Sequence, residues 1–289
     1  MKGKYTVRGL CALLGVSASG YYRWRHAKPS ARQQQDKSLS AQIAVVHRAS
    51  GCVYGVPRVV EELRAHGVPL SRRRCARLMR AQGLRGKKRH RRWPHTTNSR
   101  HGRPVAPNLL AQHQPTGPNQ AWVTDITYVE TAEGWLYVAA ILDGWSRRVV
   151  GWSCSATLHT SLVLTALESA IARRRPDPGL IHHSDRGCQY VDTTYRALLQ
   201  EHGFAQSMSG AGNCYDNAAM ESFWSTLKTE ADLRTKIPSG RRAAELAVFR
   251  YIETFYNPAR RHSSLGYLSP VAFENQHIKN ITPVSTGVD

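Results

Sequence analysis

Three acidic residues lie at positions where a purely structural role would be costly. Asp125 lies inside the strand-like run WVTDITYV, where alternation puts it on the same face as Val123 and Thr127. Asp185 ends the run LIHHSD, and Glu221 lies near the start of the helical run in YDNAAMESFWSTLK. A charge in the middle of a strand destabilises the fold unless a partner or an ion compensates it. These acids are therefore the first candidates for chemistry.

The helix predicted around Glu221 has two distinct faces. At about 100° per residue, an apolar stripe is formed by Met220, Phe223, Trp224 and Leu227. A neighbouring face is formed by Asn217, Glu221, Ser225 and Lys228. Glu221 and Lys228 are nearly two full turns apart, so they point the same way about 10 Å from each other. The apolar stripe is expected to hold the helix against a sheet.

Carboxylates from two strands and a helix that converge on one point repel each other without a cation. Mg²⁺ suits such a set, because it takes few protein carboxylates and keeps positions open for water and phosphate oxygens. Two such ions activate a nucleophile and stabilise the leaving oxygen of an in-line phosphoryl displacement. Lys228 would then lie where a nucleic acid backbone approaches.

The elements that must position these acids follow one another in a clear order. Three strand-like runs, AWVTDITYVE, GWLYVAAILD and RRVVGWSCS, are separated by Glu133-Gly134 and Asp143-Gly144, which are typical of hairpin turns. Next come a helix over 161–173, a strand over 180–184, a helix over 193–202, a short strand over 204–208 and a long helix from about 217. The order predicts a mixed α/β (α+β) fold, with a five-stranded mixed sheet flanked by helices.

The net charge of +20 belongs to one part of the chain. Residues 1–110 hold 24 Lys/Arg and 3 Asp/Glu, whereas residues 111–289 hold 16 Lys/Arg and 17 Asp/Glu. A polyanion-binding module needs such an excess, because each phosphate contact releases condensed counterions. Nucleic acid is the expected partner. An anionic membrane is the weaker alternative, since no amphipathic helix with a broad apolar face accompanies the charge.

The basic third is predicted to form two all-α helix-turn-helix units. In the first, a short helix over 6–14 precedes a helix that Ser17 caps; in the second, the last helix covers 72–82 and is capped by Ser71. Its apolar stripe leaves the arginines largely on the other faces, as in a recognition helix in a DNA groove. The predicted DNA contacts are Arg73, Arg74, Arg77 and Arg80. A solvated basic surface is the alternative.

Residues 86–118 are predicted to be a linker that follows phosphates, since they hold seven Lys/Arg, five prolines and no acid. Its candidate DNA contacts are Lys87, Lys88, Arg89, Arg91 and Arg92. The six cysteines are scattered without a C-x-x-C pair, which favours a reducing compartment and gives no thiolate zinc site. No apolar run is long enough for a membrane span, and Arg8 interrupts the N-terminal segment early, so a cytoplasmic location is expected.

The spacing of the acids resembles a known signature. Asp125, Asp185 and Glu221 are separated by 59 and 35 residues, similar to the DDE signature of transposases and retroviral integrases, which have a ribonuclease H-like fold. The segments WVTDITYV, HHSDRGCQY, GNCYDNAAMESFWSTLKTE and YNPARRHSSLGYLSP resemble bacterial insertion-sequence transposases of the IS-three (IS3) family, namely the product of its second reading frame. YGVPRVVEELRAHG and CARLMRAQGL resemble that family's helix-turn-helix segment, so the resemblance covers roughly 40–272.

This resemblance implies specific roles. Asp125, Asp185 and Glu221 match the family's metal-binding catalytic triad, which holds two Mg²⁺ ions or Mn²⁺ in their place, and Lys228 matches a basic residue that contacts the element's end. The implied partners are DNA at the terminal repeats and at the target, further copies of the chain, and the upstream-frame protein. The implied location is the bacterial nucleoid. The implied first attack joins one element end to the other and gives a circular intermediate that later integrates.

Other interpretations stay open at several residues. His183 lies near the reacting phosphate or is a satisfied strand-end histidine, and Asn217 is an active-site neighbour or only the start of a helix. Asp185 could cap a turn, and Asp143 is interpreted as a hairpin residue before Gly144. For the whole chain, the rivals are a ribonuclease H-like nuclease and a catalytically inactive DNA-binding regulator.

The expected domain organisation has five parts. They are an N-terminal helix-turn-helix-like segment (1–35), a helix-turn-helix module (36–85), a basic linker (86–118), the catalytic core (119–232) and a C-terminal helix with a basic and aromatic tail (233–289).

Overall fold

A computed structural model of the protein describes residues 5–88, 105–210 and 217–281. The chain divides into two units, the first formed by Met1–Cys52 and Val59–Arg85 and the second by Val53–Arg58 and Gly86–Asp289. Within the described ranges, no helix is both long and apolar enough to cross a bilayer.

The basic N-terminal part of the chain is helical, as predicted. Its helices are α1 (Val7–Leu13), α2 (Ala18–His26), α3 (Ala31–Ala49), α4 (Val56–Ala65) and α5 (Arg72–Ala81). Ser17 and Ser71 cap α2 and α5 as expected, each accepting a hydrogen bond from a backbone N–H three residues further on. The sequence pattern predicts a helix over 39–49 in the second unit of the basic third, whereas α3 begins at Ala31. Ser30 and Gln33 form a capping box there, ahead of polar turns that carry no hydrophobic signal.

The predicted apolar stripe of α5 faces the core of the first unit. Cys75, Leu78 and Met79 are buried, and α5 packs against α3, which contributes the buried Leu39 and Ile43. Burial of one face leaves the remaining surface of α5 to its arginines.

The second unit is built on the predicted five-stranded mixed sheet. Its strands are β1 (Ala121–Thr131), β2 (Gly134–Asp143), β3 (Val149–Ser155), β4 (Ile181–Ser184) and β5 (Ala205–Met208). They lie in the order β3-β2-β1-β4-β5, with β1–β2 and β2–β3 antiparallel and β1–β4 and β4–β5 parallel. The ribonuclease H-like fold class expected from the sequence is confirmed.

Helices cover the sheet in two layers, each with its own core. Along β2, Val138, Ala140 and Leu142 belong to one core, whereas Ala139 and Ile141 belong to the other. The first core is shared with α8 (Ala218–Glu230), α9 (Arg241–Phe249) and a π-helical segment (Arg250–Tyr256); the second is shared with α6 (Thr160–Arg174) and α7 (Thr193–Glu201). The described chain ends with α10 (Pro270–Ile281).

Close packing of α6 on the sheet depends on Gly151 of β3. A Cβ at this position would collide with the carbonyl of Ala166 and with Ala170 on α6. The missing side chain therefore lets helix and strand approach closely.

The short strand β4 pairs with only the first part of β1. Its partners there are Ala121, Trp122 and Val123, whereas β2 pairs with β1 along almost its whole length. Among the described strands, the remainder of β1 thus has a neighbour on one edge only.

Candidate active site

The sheet register places two of the predicted acids beside each other. Val123 of β1 is paired with His183 of the parallel strand β4. Asp125 and Asp185 each follow two residues later, at the carboxyl end of β4, and adjacent strands lie about 4.8 Å apart. The two carboxylates are thus neighbours at one end of the sheet.

The nearby negative charge of Asp185 disfavours the ionised form of Asp125. Burial, and then the negative charge of Asp185, raise the pKa of the Asp125 carboxyl to about 8, with a smaller contribution from Glu221. The indole Nε1 of Trp224 donates a hydrogen bond of 3.0 Å to Oδ2 of Asp125, which opposes the rise. The chain therefore keeps a half-buried acid next to another acid, supported by two neutral donors, the backbone N–H of Ile126 and the indole of Trp224.

Asp185 begins a loop that supports both interpretations of this residue. Its Oδ1 accepts a hydrogen bond of 2.9 Å from the backbone N–H of Gly187, so it does cap the turn. It also acts electrostatically on Asp125 and on Tyr190, whose buried hydroxyl lies 3.4 Å from Thr124 Oγ1. Burial, then Asp125 and Asp185, raise the pKa of the Tyr190 phenol, which keeps it neutral.

Glu221 lies on the first turn of α8 and is exposed. It is one turn before Trp224, the residue that binds Asp125, so α8 holds the third acid over the same end of the sheet. Glu221 contributes to the raised pKa of Asp125, although less than Asp185 does.

Lys228 is half-buried two turns further along α8. Burial and then Arg234 lower the pKa of its ammonium group to about 8, and Asp125 opposes that change. Asp125 therefore interacts electrostatically with both Glu221 and Lys228. The face of α8 predicted from the sequence is directed towards this acid.

The donor set suits a hard divalent cation. All three acids offer oxygen ligands, and Mg²⁺ needs only a few protein carboxylates. A bound cation would also relieve the repulsion between Asp125 and its acidic neighbours. Within the described ranges, no three His, Cys, Asp or Glu side chains are grouped closely enough to hold one ion.

The two predicted neighbours have different surroundings. His183 is fully buried, with Nδ1 2.8 Å from Ser207 Oγ and Nε2 3.2 Å from Ser209 Oγ, as in a satisfied strand-end histidine. Asn217 occupies the N-cap position of α8 without making a cap hydrogen bond. Its buried Oδ1 has no hydrogen-bond partner among the described residues.

The predicted DNA-binding arginines of α5 fall into two pairs. Arg74 and Arg77 both bind Asp36 of α3, at 2.8 and 2.6 Å, so part of their charge is neutralised within the first unit. Arg73 and Arg80 are exposed. The arginine-rich surface is therefore less uniformly available than the helical pattern indicated.

The predicted linker contacts are only partly described. Lys87 forms an ion pair of 2.7 Å with Asp232 and donates to the carbonyl of Glu230, whereas Lys88 is exposed. Arg89, Arg91 and Arg92 lie outside the described residues.

Two residues of the site do not emerge from the sequence as participants. The helical pattern places Trp224 only in the apolar stripe of α8, and it gives no role to Tyr190. A buried indole N–H usually finds an acceptor, so a tryptophan one turn after Glu221 is a signal for a partner near the acids. Tyr190 carries no comparable signal, because only the tertiary fold brings it to Thr124.

Models of known protein families match both parts of the chain. An HTH-like domain matches residues 33–92, and two integrase core domain models match residues 115–214 and 202–270. The class of protein is thus one with a helix-turn-helix-like segment ahead of an integrase core.

Curated relatives narrow this class. The chain is 46% identical over 269 residues to the insertion element IS600 uncharacterized 31 kDa protein of Shigella sonnei, covering 93% of this chain and 98% of that protein. It is 41% identical over 280 residues to transposase InsF for insertion sequence IS3A of Escherichia coli K12, covering 96% of each. The chain belongs to the IS3 family of insertion-sequence transposases.

Solved structures include two similar retroviral proteins. One is in the simian T-cell lymphotropic virus intasome in complex with PP2A regulatory subunit B56 gamma, with a TM-score of 0.47, 15% identity, and coverage of 86% of this chain and 77% of that one. The other is the dimeric HTLV-2 integrase catalytic core domain in complex with magnesium, with a TM-score of 0.43, 14% identity, and coverage of 56% and 99%.

Proposed function

We propose that this protein is a DDE polynucleotidyl transferase that cuts DNA at the ends of an insertion sequence and joins those ends to new positions. The observation that carries the proposal is the proximity of Asp125 and Asp185, which each lie two residues beyond the paired Val123 and His183 of adjoining parallel strands. Glu221 lies on the helix that binds Asp125 through Trp224. Membership of the IS3 family supports DNA as the substrate.

The proposed reaction has two phosphoryl transfers. In the first, a water oxygen bonds to phosphorus at the element's end, the bond from phosphorus to the 3′ oxygen breaks, and a 3′-OH is released. In the second, that 3′-OH attacks another phosphodiester and releases a new 3′-OH, so no covalent protein intermediate is needed. The first joining would link one element end to the other and give a circular intermediate.

Each residue has a distinct proposed role. Asp125, Asp185 and Glu221 would hold two Mg²⁺ ions, or Mn²⁺ in their place, which would supply Lewis acidity and lower the pKa of bound water. Trp224 orients the Asp125 carboxylate. Lys228 binds a DNA phosphate near the acids.

The proposed partners follow from the charge and the family. The basic first unit and the linker bind the terminal repeats, further copies of the chain assemble on the DNA, and an upstream-frame protein can join them. The proposed location is the bacterial cytoplasm, at the nucleoid.

The test is nicking and joining of a supercoiled plasmid that carries the element's own ends. Wild type is compared with Glu221→Gln in Mg²⁺, Mn²⁺ and EDTA. Glu245→Gln on α9 is the matched control, because it removes a partly exposed carboxylate whose ion pair among the described residues is with Arg242. Metal-dependent activity that Glu221→Gln loses and Glu245→Gln keeps would support the proposal, whereas equal activity in all three proteins would contradict it.

The same assay separates the rival functions. A ribonuclease H-like nuclease would nick without joining strands. A DNA-binding regulator would bind the ends without metal-dependent nicking, also when the upstream-frame protein is added.

A further inference from the structure

A cavity of about 600 Å³ lies beside α8 in the second unit. Ser222, Thr226 and Thr229 line it from α8, on a face adjacent to the one that carries Glu221 and Lys228. Buried aromatic rings of Phe223 and Tyr256 form part of its wall. The cavity is therefore polar on one side, and a single helix separates it from the candidate active site.

Positive charge dominates the lining of this cavity. Its cationic side chains are Arg58, Lys87, Arg147 and Arg260. Glu230 is its only lining carboxylate among the described residues, and Arg260 binds both of its oxygens, at 2.6 and 2.7 Å. Tyr251 also donates to Glu230, at 2.8 Å. Arg260 therefore balances Glu230, which also lies 3.7 Å from Arg58. Lys87 is paired with Asp232 at 2.7 Å. The four cations of the lining thus face two carboxylates, which leaves a net positive charge at the cavity.

His262, which also lines the cavity, is sensitive to this positive charge. Burial, then Arg260, Arg58 and Arg147, lower the pKa of the His262 imidazole to about 2. Burial keeps this imidazole neutral, and the three guanidinium groups add to the effect, as expected where positive charges lie close together. An anion entering the cavity would be attracted by these charges.

Hydrogen-bond donors accompany the charge. The hydroxyl of Thr229 is buried and has no hydrogen-bond partner among the described residues. Ser263 and Ser264 are exposed at the rim and add two more hydroxyls. Guanidinium groups and hydroxyls together are the usual means of binding a phosphate.

We propose that this cavity binds a backbone phosphate of the same DNA strand that passes the acids, and so fixes how far that strand is advanced in the active site. Ser222, which lines the cavity, directly follows Glu221 in the helix. Phosphates in one DNA strand recur about every 3.4 Å along the helix axis, so a strand at the acids has further phosphates within reach of the cavity. The inference rests on the proposed function, since it presumes a DNA substrate.

The experiment uses the full chain and element-end DNA in which single phosphates are replaced, one position at a time, by uncharged methylphosphonates. Binding to each DNA is measured in EDTA for wild type and for Arg147→Gln. Arg242→Gln on α9 is the control, because it removes an exposed arginine that does not line the cavity. Lys87→Gln serves as the second cavity variant if Arg147→Gln does not fold.

We expect the effects of Arg147→Gln and of a methylphosphonate at one particular position to be coupled. A methylphosphonate at that position should weaken DNA binding by wild type about 10-fold. Arg147→Gln should weaken binding of unmodified DNA about as much. The variant should then bind the modified DNA only slightly more weakly than it binds unmodified DNA, because both changes remove the same contact. Arg242→Gln should keep the wild-type sensitivity at every position. Independent effects of the variant and of every methylphosphonate would overturn the proposal.

Other outcomes distinguish the two proposals. Metal-dependent nicking without coupling at any position would overturn the phosphate site and leave the proposed function standing. Absence of any DNA binding by wild type would overturn both. Binding of inorganic phosphate that Arg147→Gln abolishes, without coupling to DNA, would identify a site for a free anion and overturn the DNA assignment.

Discussion

The indole N–H of Trp224 and the Oδ2 oxygen of Asp125 are joined by a hydrogen bond of 3.0 Å, which links helix α8 to strand β1 at one of the candidate catalytic acids. Trp224 is almost completely buried, so its orientation is fixed by packing as well as by this bond. The same residue therefore places Glu221, one turn earlier, relative to Asp125.

Replacing Trp224 with Phe should separate its packing in the core from its hydrogen bond to Asp125. The ring still fills the core, but Asp125 loses its indole donor and keeps only the backbone N–H of Ile126. We expect the rate of metal-dependent cleavage to fall about 10- to 100-fold. The metal concentration for half-maximal activity should rise, because the carboxylate is no longer held in place. Trp135→Phe, at an exposed position of β2, is the control and should leave both quantities unchanged. Equal losses in the two variants would contradict the positioning role.

Asp125→Asn should stabilise the metal-free protein while removing its activity. Because the folded-state pKa of Asp125 is raised, its ionised form lowers stability progressively as the pH rises from about 4 towards 8. In EDTA at pH 8, we expect the variant to gain about 1 kcal/mol or more, or roughly 2–4 °C in melting temperature. Mg²⁺ should raise the melting temperature of wild type more than that of the variant. Asp177→Asn, at an exposed carboxylate, should show neither effect.

Asp36 should weaken DNA binding by α5, because it engages two arginines of that helix. Its pKa is lowered by hydrogen bonds from Arg77 and Arg74, so both arginines are engaged with it. In Asp36→Asn, we expect tighter binding of DNA at low salt and a steeper salt dependence, by about 0.9 in the slope of log K against log salt for each additional phosphate that the released arginines bind. Glu61→Gln, which releases only the exposed Arg64, is the control. An unchanged salt slope would show that α5 does not meet DNA.

Glu274 on α10 should make the second unit sensitive to acid. Burial alone would raise its pKa, but hydrogen bonds from Arg174 and Arg148 hold that pKa below its ordinary value. The stabilisation is thus present above about pH 4.5 and lost as the pH falls through the folded-state pKa. We expect Glu274→Gln to lower the free energy of unfolding by about 1–3 kcal/mol at pH 7, measured in urea, and by less near pH 3. A difference that does not shrink in acid would contradict the ion-pair explanation.

Local patterns in the sequence predict much of this fold. The alternation in β1, the caps Ser17 and Ser71, and the stripe of α5 depend on neighbours within a few residues, and the structure confirms them. The sequence also predicts a hairpin residue at Asp143, which does accept bonds from Trp145 and Ser146 in its turn.

Long-range polar contacts cannot be read in the same way. Asp143 is also fully buried, and its neighbour Ser146 donates to Glu274, more than a hundred residues away. The pairing of Arg74 and Arg77 with Asp36 likewise depends on how α3 crosses α5. No periodicity encodes such pairs, since they arise only when distant segments pack together.

The difference in length between β1 and β4 has a consequence for the backbone beside Asp125. Since β4 ends just before Asp185, the described strands leave one edge of β1 without a partner from Thr124 onwards, which includes Asp125. Extending β4 by two residues would pair its backbone with β1 next to Asp125. The early end of β4 thus leaves the edge of β1 at this acid outside the parallel ladder, so the length of one strand decides whether the backbone beside Asp125 is engaged on that side.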